Sequence, residues 1–377
     1  MKLAALETPA LVLDATRMTE NIARMRGRLD GFRVAFRPHL KTCKSIDVAR
    51  HLLATPTGPA TVSTLKEAEY FFGHGVTDLL YAVGIAPNKL AHIVDLRRRG
   101  AALRLILDSA AAARAVGAAA RDAGLVLEAL IEIDSDGHRS GIKPDDAALL
   151  DVARALDAAG GTLAGVMTHA GDSYNRPGRA AITAMAEQER AAAVHAAERL
   201  RAAGFAAPVV SVGSTPTATF AERFDGVTEV RTGVFVFFDL FMAGLGVCRT
   251  SDIALSVLTS VIGHQREKGW AIVDAGWMAM SRDRGTAKQA VDQGYGVVCN
   301  AEGVPLPDVI MVDANQEHGI IAHRSGDPAR LPELPVGTLL RILPNHACAT
   351  GAQHDRYHVV SHADADVSAV WPRFTGW

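Results

Sequence analysis

The feature that most constrains the fold is one pattern that repeats over the first 240 residues, a short apolar stretch followed by an alanine-rich amphipathic stretch. The predicted strands are 33–39, 60–63, 78–83, 103–108, 127–133, 163–169, 209–213 and 227–231, and the predicted helices include 87–99, 109–123, 145–159 and 180–203. Eight strands that alternate with helices predict an α/β fold, a closed (β/α)8 barrel. A doubly wound open sheet is the alternative, which the lack of a GxGxxG motif after the first strand disfavours.

The pattern of predicted secondary structure changes beyond residue 240. The segments IALSVLTSVIGH, GWAIVDAG, GTLLRILPNHACAT and YHVVS are strand-like and are joined by turns rather than by long helices. A chain of 377 residues is long enough for one large and one smaller domain. We therefore predict a barrel domain over 20–240 and a mostly β domain formed by 1–19 with 241–377. The early stretch TPALVLD lies outside the eightfold count and is expected to pair with the β domain.

Composition and charge exclude several classes of protein. The net charge is −2 with both signs interspersed, which predicts no nucleic-acid partner and no membrane-surface partner. The N-terminus lacks the pattern of a signal peptide, and no segment approaches about 18 consecutive apolar residues. The four cysteines are scattered, without a disulfide framework or a CxxC pair. These observations predict a reduced cytoplasmic protein.

A lysine at the end of the first barrel strand is the first candidate for chemistry. Along 33–41 the side chains alternate, so Arg37, His39 and Lys41 share the face that points into a barrel, at the carboxyl end of the strand where barrel active sites lie. Three cationic side chains there are costly unless an anion is bound. A lysine crowded by positive charge becomes nucleophilic and forms Schiff bases. Lys44 has the opposite parity and is expected in the next helix.

The loops after strands seven and eight are typical of a phosphate site. The segment SVGSTPTATF combines a glycine that allows close approach with hydroxyls and a proline suited to a first helical turn, and EVRTGVFVFFD places Gly233 and Val234 after strand eight. Phosphate sites after these two strands recur in this barrel. Opposite a Schiff-base lysine, they indicate pyridoxal 5'-phosphate.

The segment PNHACATG near the C-terminus places His346 and Cys348 two residues apart. On a strand the two side chains would point the same way, with Cα atoms about 6.6 Å apart. Imidazole and thiolate could then share one divalent ion and leave positions open for water and substrate. The thiolate favours zinc, while manganese, magnesium and cobalt stay open.

A family resemblance rests on RPHLKT, EIDSDGHRSG, GVMTHAG, VGSTPT and EVRTGV in the barrel, and on GWMAMSRDRGTA, NQEHG and PNHACATG beyond it. Over its whole length the chain resembles the fold-type III pyridoxal enzymes, the alanine racemase-like barrels. Within that fold it is most similar to the metal-dependent branch that acts on D-amino acids and contains D-threonine aldolases and D-serine dehydratases.

The resemblance implies a role for each matching residue. Lys41 would be the Schiff-base lysine, and His169 would pack against the cofactor ring. The resemblance implies six further cofactor contacts: Arg139, Tyr174, Thr215, Arg231, Gly233 and Val234. Of these, Arg231 would lie near the ring nitrogen and Tyr174 would also lie close to the substrate. Thr215, Gly233 and Val234 would surround the phosphate. His346 and Cys348 would hold the metal.

The resemblance also implies a reaction, a lyase that removes water and ammonia from a D-3-hydroxy amino acid. The best-matching substrate is D-threo-3-hydroxyaspartate, which would give oxaloacetate. Aldolases of the branch tend to carry aspartate where Cys348 stands, which favours dehydration. The alternatives are an aldolase that gives glycine and an aldehyde, a D-serine dehydratase, an alanine racemase, and a non-catalytic pyridoxal-phosphate-binding protein. The fold further suggests a homodimer.

Overall fold

The computed structural model describes residues 1–361 and 366–377, and the chain divides into two compact units. The barrel unit comprises Arg24–Lys41, Ala49–Gly233 and Gly376–Trp377. The β unit comprises Met1–Ala23, Thr42–Val48 and Val234–Thr375. The peptide bond after Lys41 is therefore one of the points at which the chain passes from one unit to the other.

The elements up to residue 230 follow the predicted alternation. The strands are β1 (Ala10–Asp14), β2 (Ala35–Phe36), β3 (Ala60–Val62), β4 (Asp78–Gly84), β5 (Ala102–Leu107), β6 (Glu128–Ile133), β7 (Thr162–Thr168), β8 (Val209–Val212) and β9 (Glu229–Val230). The helices are α1 (Ala15–Gly31), α2 (Ile46–Leu52), α3 (Leu65–Gly73), α4 (Leu90–Arg98), α5 (Ala110–Ala123), α6 (Ala148–Ala159), α7 (Gly178–Ala202) and α8 (Thr215–Phe220).

The elements beyond residue 230 are mainly strands. They are β10 (Leu255–Gln265), β11 (Trp270–Val273), β12 (Gly296–Asn300), β13 (Pro305–Ala314), β14 (Gly319–His323), β15 (Leu339–Pro344), β16 (Arg356–Val360) and β17 (Ala369–Pro372). The helices are short: α9 (Leu240–Gly244), α10 (Trp277–Met280) and α11 (Ala347–Gly351).

The barrel unit confirms the predicted (β/α)8 architecture. All eight predicted strands are present and parallel, in the order β2-β9-β8-β7-β6-β5-β4-β3. The sheet closes where the chain beyond β2 meets β3: His39 and Thr61 form a parallel bridge, and the Thr61 N–H donates to the Pro38 carbonyl at 2.8 Å. This closure excludes the open doubly wound sheet.

Local chemistry explains where the helices begin and end. The Ser109 hydroxyl accepts from the Ala112 N–H at the start of α5, and Gly124 ends that helix with a φ of 64°. The helix predicted over 145–159 begins instead at Ala148, because the Asp146 carboxylate accepts from the Ala148 N–H and holds the preceding residues in a turn. For the other strands and helices, most of the predicted bounds differ from the observed bounds by one to three residues.

The first barrel strand is shorter than predicted. Only Ala35–Phe36 is regular strand, because Arg33 has a φ of 56° and Pro38 has no N–H to give to the ladder. The prediction that Lys44 lies in the next helix is wrong. Helix α2 begins at Ile46, and Lys44 has a φ of 43°, which no right-handed helix accommodates.

The β unit is a closed antiparallel ring with an extension. Strand β10 pairs with both β11 and β15, which closes the ring through β14, β13 and β12. Strand β1 pairs antiparallel with β10 and parallel with β16, which confirms that TPALVLD joins this unit. Strands β12, β13, β14 and β17 were not predicted from the sequence. In the described part of the chain, no helix is long and apolar enough to cross a membrane.

Candidate active site

Lys41 lies in the turn that follows the β2–β3 closure, and its side chain is exposed. Its amine makes no hydrogen bond or ion pair with the residues that the structure describes. The amine acts electrostatically on the two histidines of this barrel mouth, His39 and His169. The predicted reactive lysine is therefore a free amine at the carboxyl end of the barrel.

The two histidines beside Lys41 are neutral. Burial, together with the positive charges of Lys41, Arg139 and Arg231, lowers the pKa of His169 to about 3, although the hydrogen bond to Gly213 acts in the opposite direction. Burial likewise places the pKa of His39 well below its usual value. The Nδ1 atom of His169 donates to the Gly213 carbonyl at 3.0 Å, so the neutral ring carries its proton on Nδ1.

Tyr174 lies beside this neutral imidazole. It belongs to the 3-10 turn Gly171–Asn175, and its ring centroid is 6.0 Å from that of His169 with an interplanar angle of 47°. The structure thus brings together two of the residues predicted to face the cofactor. Their contact with a cofactor ring stays a prediction.

Arg231 is 3% exposed and lies in the barrel interior. Its Nε donates to the Ser211 hydroxyl at 2.8 Å and its Nη2 donates to the Thr168 carbonyl. Burial lowers the pKa of Arg231, while Glu229 and other carboxylates oppose that effect. The third nitrogen, Nη1, makes no hydrogen bond within the described residues, so it is the atom available to a ligand.

A directed chain of hydrogen bonds runs from Arg231 away from the mouth. The Ser211 hydroxyl accepts from Arg231 and donates to Glu229 at 2.7 Å. Glu229 in turn accepts from Arg37 Nε at 2.8 Å, and Arg37 Nη1 donates to Asp78 at 2.8 Å. The expectation that Arg37 adds uncompensated positive charge at the mouth is wrong, because two carboxylates of the barrel neutralise it.

Removal of the Ser211 hydroxyl is expected to lower the free energy of unfolding by about 1.5–3 kcal/mol, because Ser211→Ala leaves a buried guanidinium nitrogen and a buried carboxylate oxygen each short of one partner. Denaturant unfolding measures the change. The matched control is Ser140→Ala, which removes an exposed hydroxyl that donates to Glu132 at 3.1 Å and should cost less than about 1 kcal/mol. Equal small losses in both variants would contradict the chain as a stabilising network.

Arg139 lies in the loop after β6, and its side chain is exposed. The loop is held at its base by Ser140, which donates to Glu132, and by the Gly141 N–H, which donates to Asp108 at 3.2 Å. Burial raises the pKa of Glu132, and the Ser140 bond and the charge of Arg139 oppose the rise. Arg139 is thus near the mouth but fixed by no hydrogen bond of its own in the described chain.

The two predicted phosphate loops carry buried backbone donors without acceptors. Helix α8 starts as predicted, with Ser214 as its N-cap in a capping box with Thr217. Thr215, Gly233 and Val234 are buried residues, and their N–H groups donate to no acceptor within the described residues. Buried unpaired amides are rare, and three of them favour an anionic ligand.

Gly213 permits the close approach of β8 to β9 at this point. Its φ is 131°, and a Cβ there would lie 2.2 Å from the Arg231 carbonyl oxygen. The glycine thus lets the loop that carries Thr215 pack directly on the strand end that carries Arg231. The donors, the free Nη1 of Arg231 and the amine of Lys41 together fit an anionic aromatic aldehyde such as pyridoxal phosphate.

His346 and Cys348 lie in the β unit, but not on a strand as predicted. Strand β15 ends at Pro344, His346 is the extended N-cap of α11, and Cys348 lies in the first turn of that helix. Both side chains are half-buried. The Asp239 carboxylate accepts from the Ala347 N–H at 2.9 Å, which fixes the backbone between the two residues.

The surroundings of His346 favour positive charge. Its Nδ1 lies 2.6 Å from Asp283 Oδ2, and the imidazole also hydrogen-bonds to Cys348. Burial lowers the pKa of His346, but Cys348, Asp283 and Asp239 together raise it to about 11. The Thr42 hydroxyl lies 3.2 Å from Cys348 Sγ. A divalent cation could take the place of the proton, with Nδ1 held by Asp283 and Nε2 left as the ligand.

The candidate metal site offers two predicted ligands, His346 and Cys348. Among residues 1–361 and 366–377, no group of three or more His, Cys, Asp or Glu side chains could hold a metal ion. Two protein ligands leave coordination positions for water or substrate. The sequence alone did not indicate Thr42 or Asp239, because their partners are 306 and 108 residues away.

Comparisons with known proteins assign the chain to a family. Residues 13–240 match the alanine racemase N-terminal domain, and residues 254–360 match a serine dehydratase domain. The chain belongs to the alanine racemase-like family of pyridoxal-phosphate enzymes that carry this second domain.

Full-length relatives define the branch of that family. The chain is 56% identical over 378 residues to D-threo-3-hydroxyaspartate dehydratase of Delftia sp. (strain HT23), covering 100% of this chain and 99% of the relative. It is 27% identical over 390 residues to D-serine dehydratase of Dictyostelium discoideum, covering 97% and 96%.

Solved structures show the same fold. The D-threo-3-hydroxyaspartate dehydratase from Delftia sp. HT23 matches with a TM-score of 0.96 and covers 100% of each chain at 56% identity. A cysteine-to-alanine variant of that enzyme is described as the metal-free form, also at a TM-score of 0.96 and 56% identity with 100% of each chain covered. D-threonine aldolase from Filomicrobium marinum matches at 0.82 with 25% identity, covering 99% and 96%.

Proposed function

We propose that this protein is a dehydratase of D-3-hydroxy amino acids and that it converts D-threo-3-hydroxyaspartate to oxaloacetate and ammonia. The observation that carries the proposal is the 56% identity, over the full chain, with an enzyme of that name. The elimination removes the α-proton and the β-hydroxyl as water, and hydrolysis of the product then releases ammonia. D-serine would give pyruvate by the same steps.

Residues that follow the barrel strands would supply the base and the cofactor contacts. Lys41 would hold the cofactor aldehyde, and its Nζ, once released, would take the α-proton. When bound, pyridoxal phosphate supplies a conjugated ring into which the electron pair of the broken Cα–H bond delocalises. Arg231 Nη1 would face the ring nitrogen, and neutral His169 would pack against the ring beside Tyr174. Thr215, Gly233 and Val234 would bind the phosphate through their free N–H groups.

Residues of the β unit would bind the metal ion that assists departure of the β-hydroxyl. His346 Nε2 and Cys348 Sγ would hold the ion, with Asp283 fixing the imidazole. When bound, a divalent metal acts as a Lewis acid that makes hydroxide a better leaving group. A thiolate ligand favours zinc on softness, and manganese, magnesium and cobalt remain candidates for the native ion.

We also propose that the enzyme is a cytoplasmic homodimer that acts on a small molecule. Support for a reducing compartment comes from Cys43, Cys248, Cys299 and Cys348, none of which forms a disulfide. Light scattering on the purified holoenzyme checks the dimer.

The test of the proposed reaction follows oxaloacetate and glycine together after D-threo-3-hydroxyaspartate is added to the purified holoenzyme. We expect oxaloacetate and ammonia in equal amounts and no glycine, since the proposed chemistry breaks the Cβ–O bond and leaves Cα–Cβ intact. EDTA should abolish the activity, and added divalent metal should restore it.

Each other result points to a different enzyme. Glycine with glyoxylate would overturn the dehydratase and indicate an aldolase. Turnover of D-serine but not of D-threo-3-hydroxyaspartate would contradict the proposed substrate and support the proposed dehydration. Bound cofactor without any product from these substrates would leave only a pyridoxal-phosphate-binding protein.

A further inference from the structure

Helix α7 (Gly178–Ala202) directs one carboxylate into the barrel unit. Glu189 is 2% exposed, whereas the helix residues buried around it, including Met185, Ala186 and Ala193, are apolar. A buried carboxylate is costly unless its oxygens are well hydrogen-bonded. Packing α7 on the barrel requires no charge at this position, so the carboxylate calls for another explanation.

The carboxylate of Glu189 joins the ends of two neighbouring strands. Its Oε1 accepts from the Ala170 N–H at 2.9 Å, just after β7, and from the Gly213 N–H at 3.1 Å, just after β8. The side chain of Thr217, in helix α8, also interacts with the carboxylate. Burial raises the pKa of Glu189, and these three contacts oppose the rise.

Both strand ends carry residues of the candidate cofactor site. Ala170 directly follows His169. Gly213 is held from two sides, because its N–H donates to Glu189 while its carbonyl accepts from His169 Nδ1 at 3.0 Å. Thr217 closes the capping box by accepting from the Ser214 N–H at 3.0 Å, and that box fixes the helix start at which Thr215 presents its free N–H.

We propose that Glu189 is a positioning residue for the cofactor, which locks the His169 ring and the phosphate loop into one rigid arrangement. The inference rests on the proposed function only in that the barrel mouth binds pyridoxal phosphate. Glu189 touches no candidate cofactor atom itself. It acts through two backbone amides and one hydroxyl. The property that matters is therefore an acceptor oxygen at hydrogen-bonding distance from the two amides, rather than negative charge.

Three variants separate the effect of the position of the acceptor oxygen from the effect of the negative charge. Glu189→Gln keeps an acceptor oxygen in place for both amides and lacks the charge. Glu189→Asp keeps the charge but withdraws the oxygens by one methylene. Glu189→Ala removes the acceptor altogether. The matched control is Gln188→Ala, which removes an exposed side chain of the same helix whose amide donates to the Ser135 carbonyl at 2.6 Å, after β6, and not to either amide that Glu189 holds.

The experiment strips each full-length protein of cofactor, titrates it with pyridoxal phosphate and measures the dissociation constant together with the melting temperatures of the apo and holo forms. We expect Glu189→Gln and Gln188→Ala to bind within about threefold of the wild type. Glu189→Ala should bind at least about tenfold more weakly, with a smaller cofactor-induced rise in melting temperature, because two buried amides lose their acceptor. Glu189→Asp should fall between them.

The outcomes decide the inference separately from the proposed function. Wild-type affinity in Glu189→Ala, even with a lower apo melting temperature, would show a purely structural role and overturn it. If Glu189→Ala does not fold, the order of the other two variants decides: an aspartate variant that binds like wild type while the glutamine variant is weakened would overturn it. If the wild-type protein itself binds no pyridoxal phosphate, the proposed function fails instead.

Discussion

Replacement of Lys41 by alanine is expected to lower turnover of D-threo-3-hydroxyaspartate at least about 1,000-fold, because in the proposed reaction one amine would supply both the covalent anchor and the base that takes the α-proton. The measurement compares kcat of wild type and variant. Borohydride reduction of the holoenzyme, followed by peptide mass analysis, should place the cofactor mass on Lys41.

Lys44 is the matched control for that prediction. It lies three residues along the chain, in the β unit, with its amine 5.4 Å from the centroid of the Phe374 ring. Lys44→Ala should keep turnover within about threefold of the wild type, since the cation–π contact contributes about 0.5–1 kcal/mol at most. Cofactor mass found on Lys44, or full turnover by Lys41→Ala, would contradict the assignment.

The barrel was predictable because its signal is local. Each strand and helix carries its own hydrophobic period, and eight repeats leave few architectures. Face alternation along residues 33–41 also located Lys41 correctly at the mouth, although only Ala35–Phe36 is regular strand. The alternation survives because the chain continues to pair with Thr61 as far as Leu40.

The electrostatics of the barrel could not be predicted, because they depend on partners distant in sequence. Arg37 looks like an uncompensated cation in its own strand, yet Glu229 neutralises it from 192 residues away. Ser211 and Glu189 escape sequence reasoning for the same reason. A serine in a strand and a glutamate in a helix are ordinary until folding places them against Arg231 and Gly213.

The backbone around the predicted metal pair, His346 and Cys348, differs from the predicted strand. The apolar run before His346 predicts a strand that extends through Cys348. Helix α11 begins instead at Ala347, and the carboxylate that accepts the Ala347 N–H comes from Asp239, 108 residues earlier. Because the start of this helix depends on so distant a residue, the sequence around Ala347 does not indicate it. His346 and Cys348 still interact with each other, and Asp283 Oδ2 lies 2.6 Å from His346 Nδ1.

Loss of the Cys348 thiol is expected to weaken binding of the divalent ion at least about 100-fold and to abolish metal-dependent turnover, because a pair of ligands cannot hold the ion once one is removed. Equilibrium dialysis with Zn²⁺ and Mn²⁺ on the full-length holoenzyme measures the affinity without relying on activity. Cys248→Ala is the control, since it removes another half-buried free thiol of the β unit and should bind metal like the wild type.

Asp283 extends that test beyond the ligands themselves. Asp283→Ala should weaken metal binding about 10- to 100-fold, the usual effect of removing a carboxylate that orients a ligating histidine. Asp283→Asn should lose less, since the amide oxygen still accepts from His346 Nδ1 and only the charge is gone. An asparagine variant as weak as the alanine variant would mean that Asp283 acts through charge alone. Unchanged affinity in both would remove Asp283 from the site and leave the imidazole oriented by its contact with Cys348.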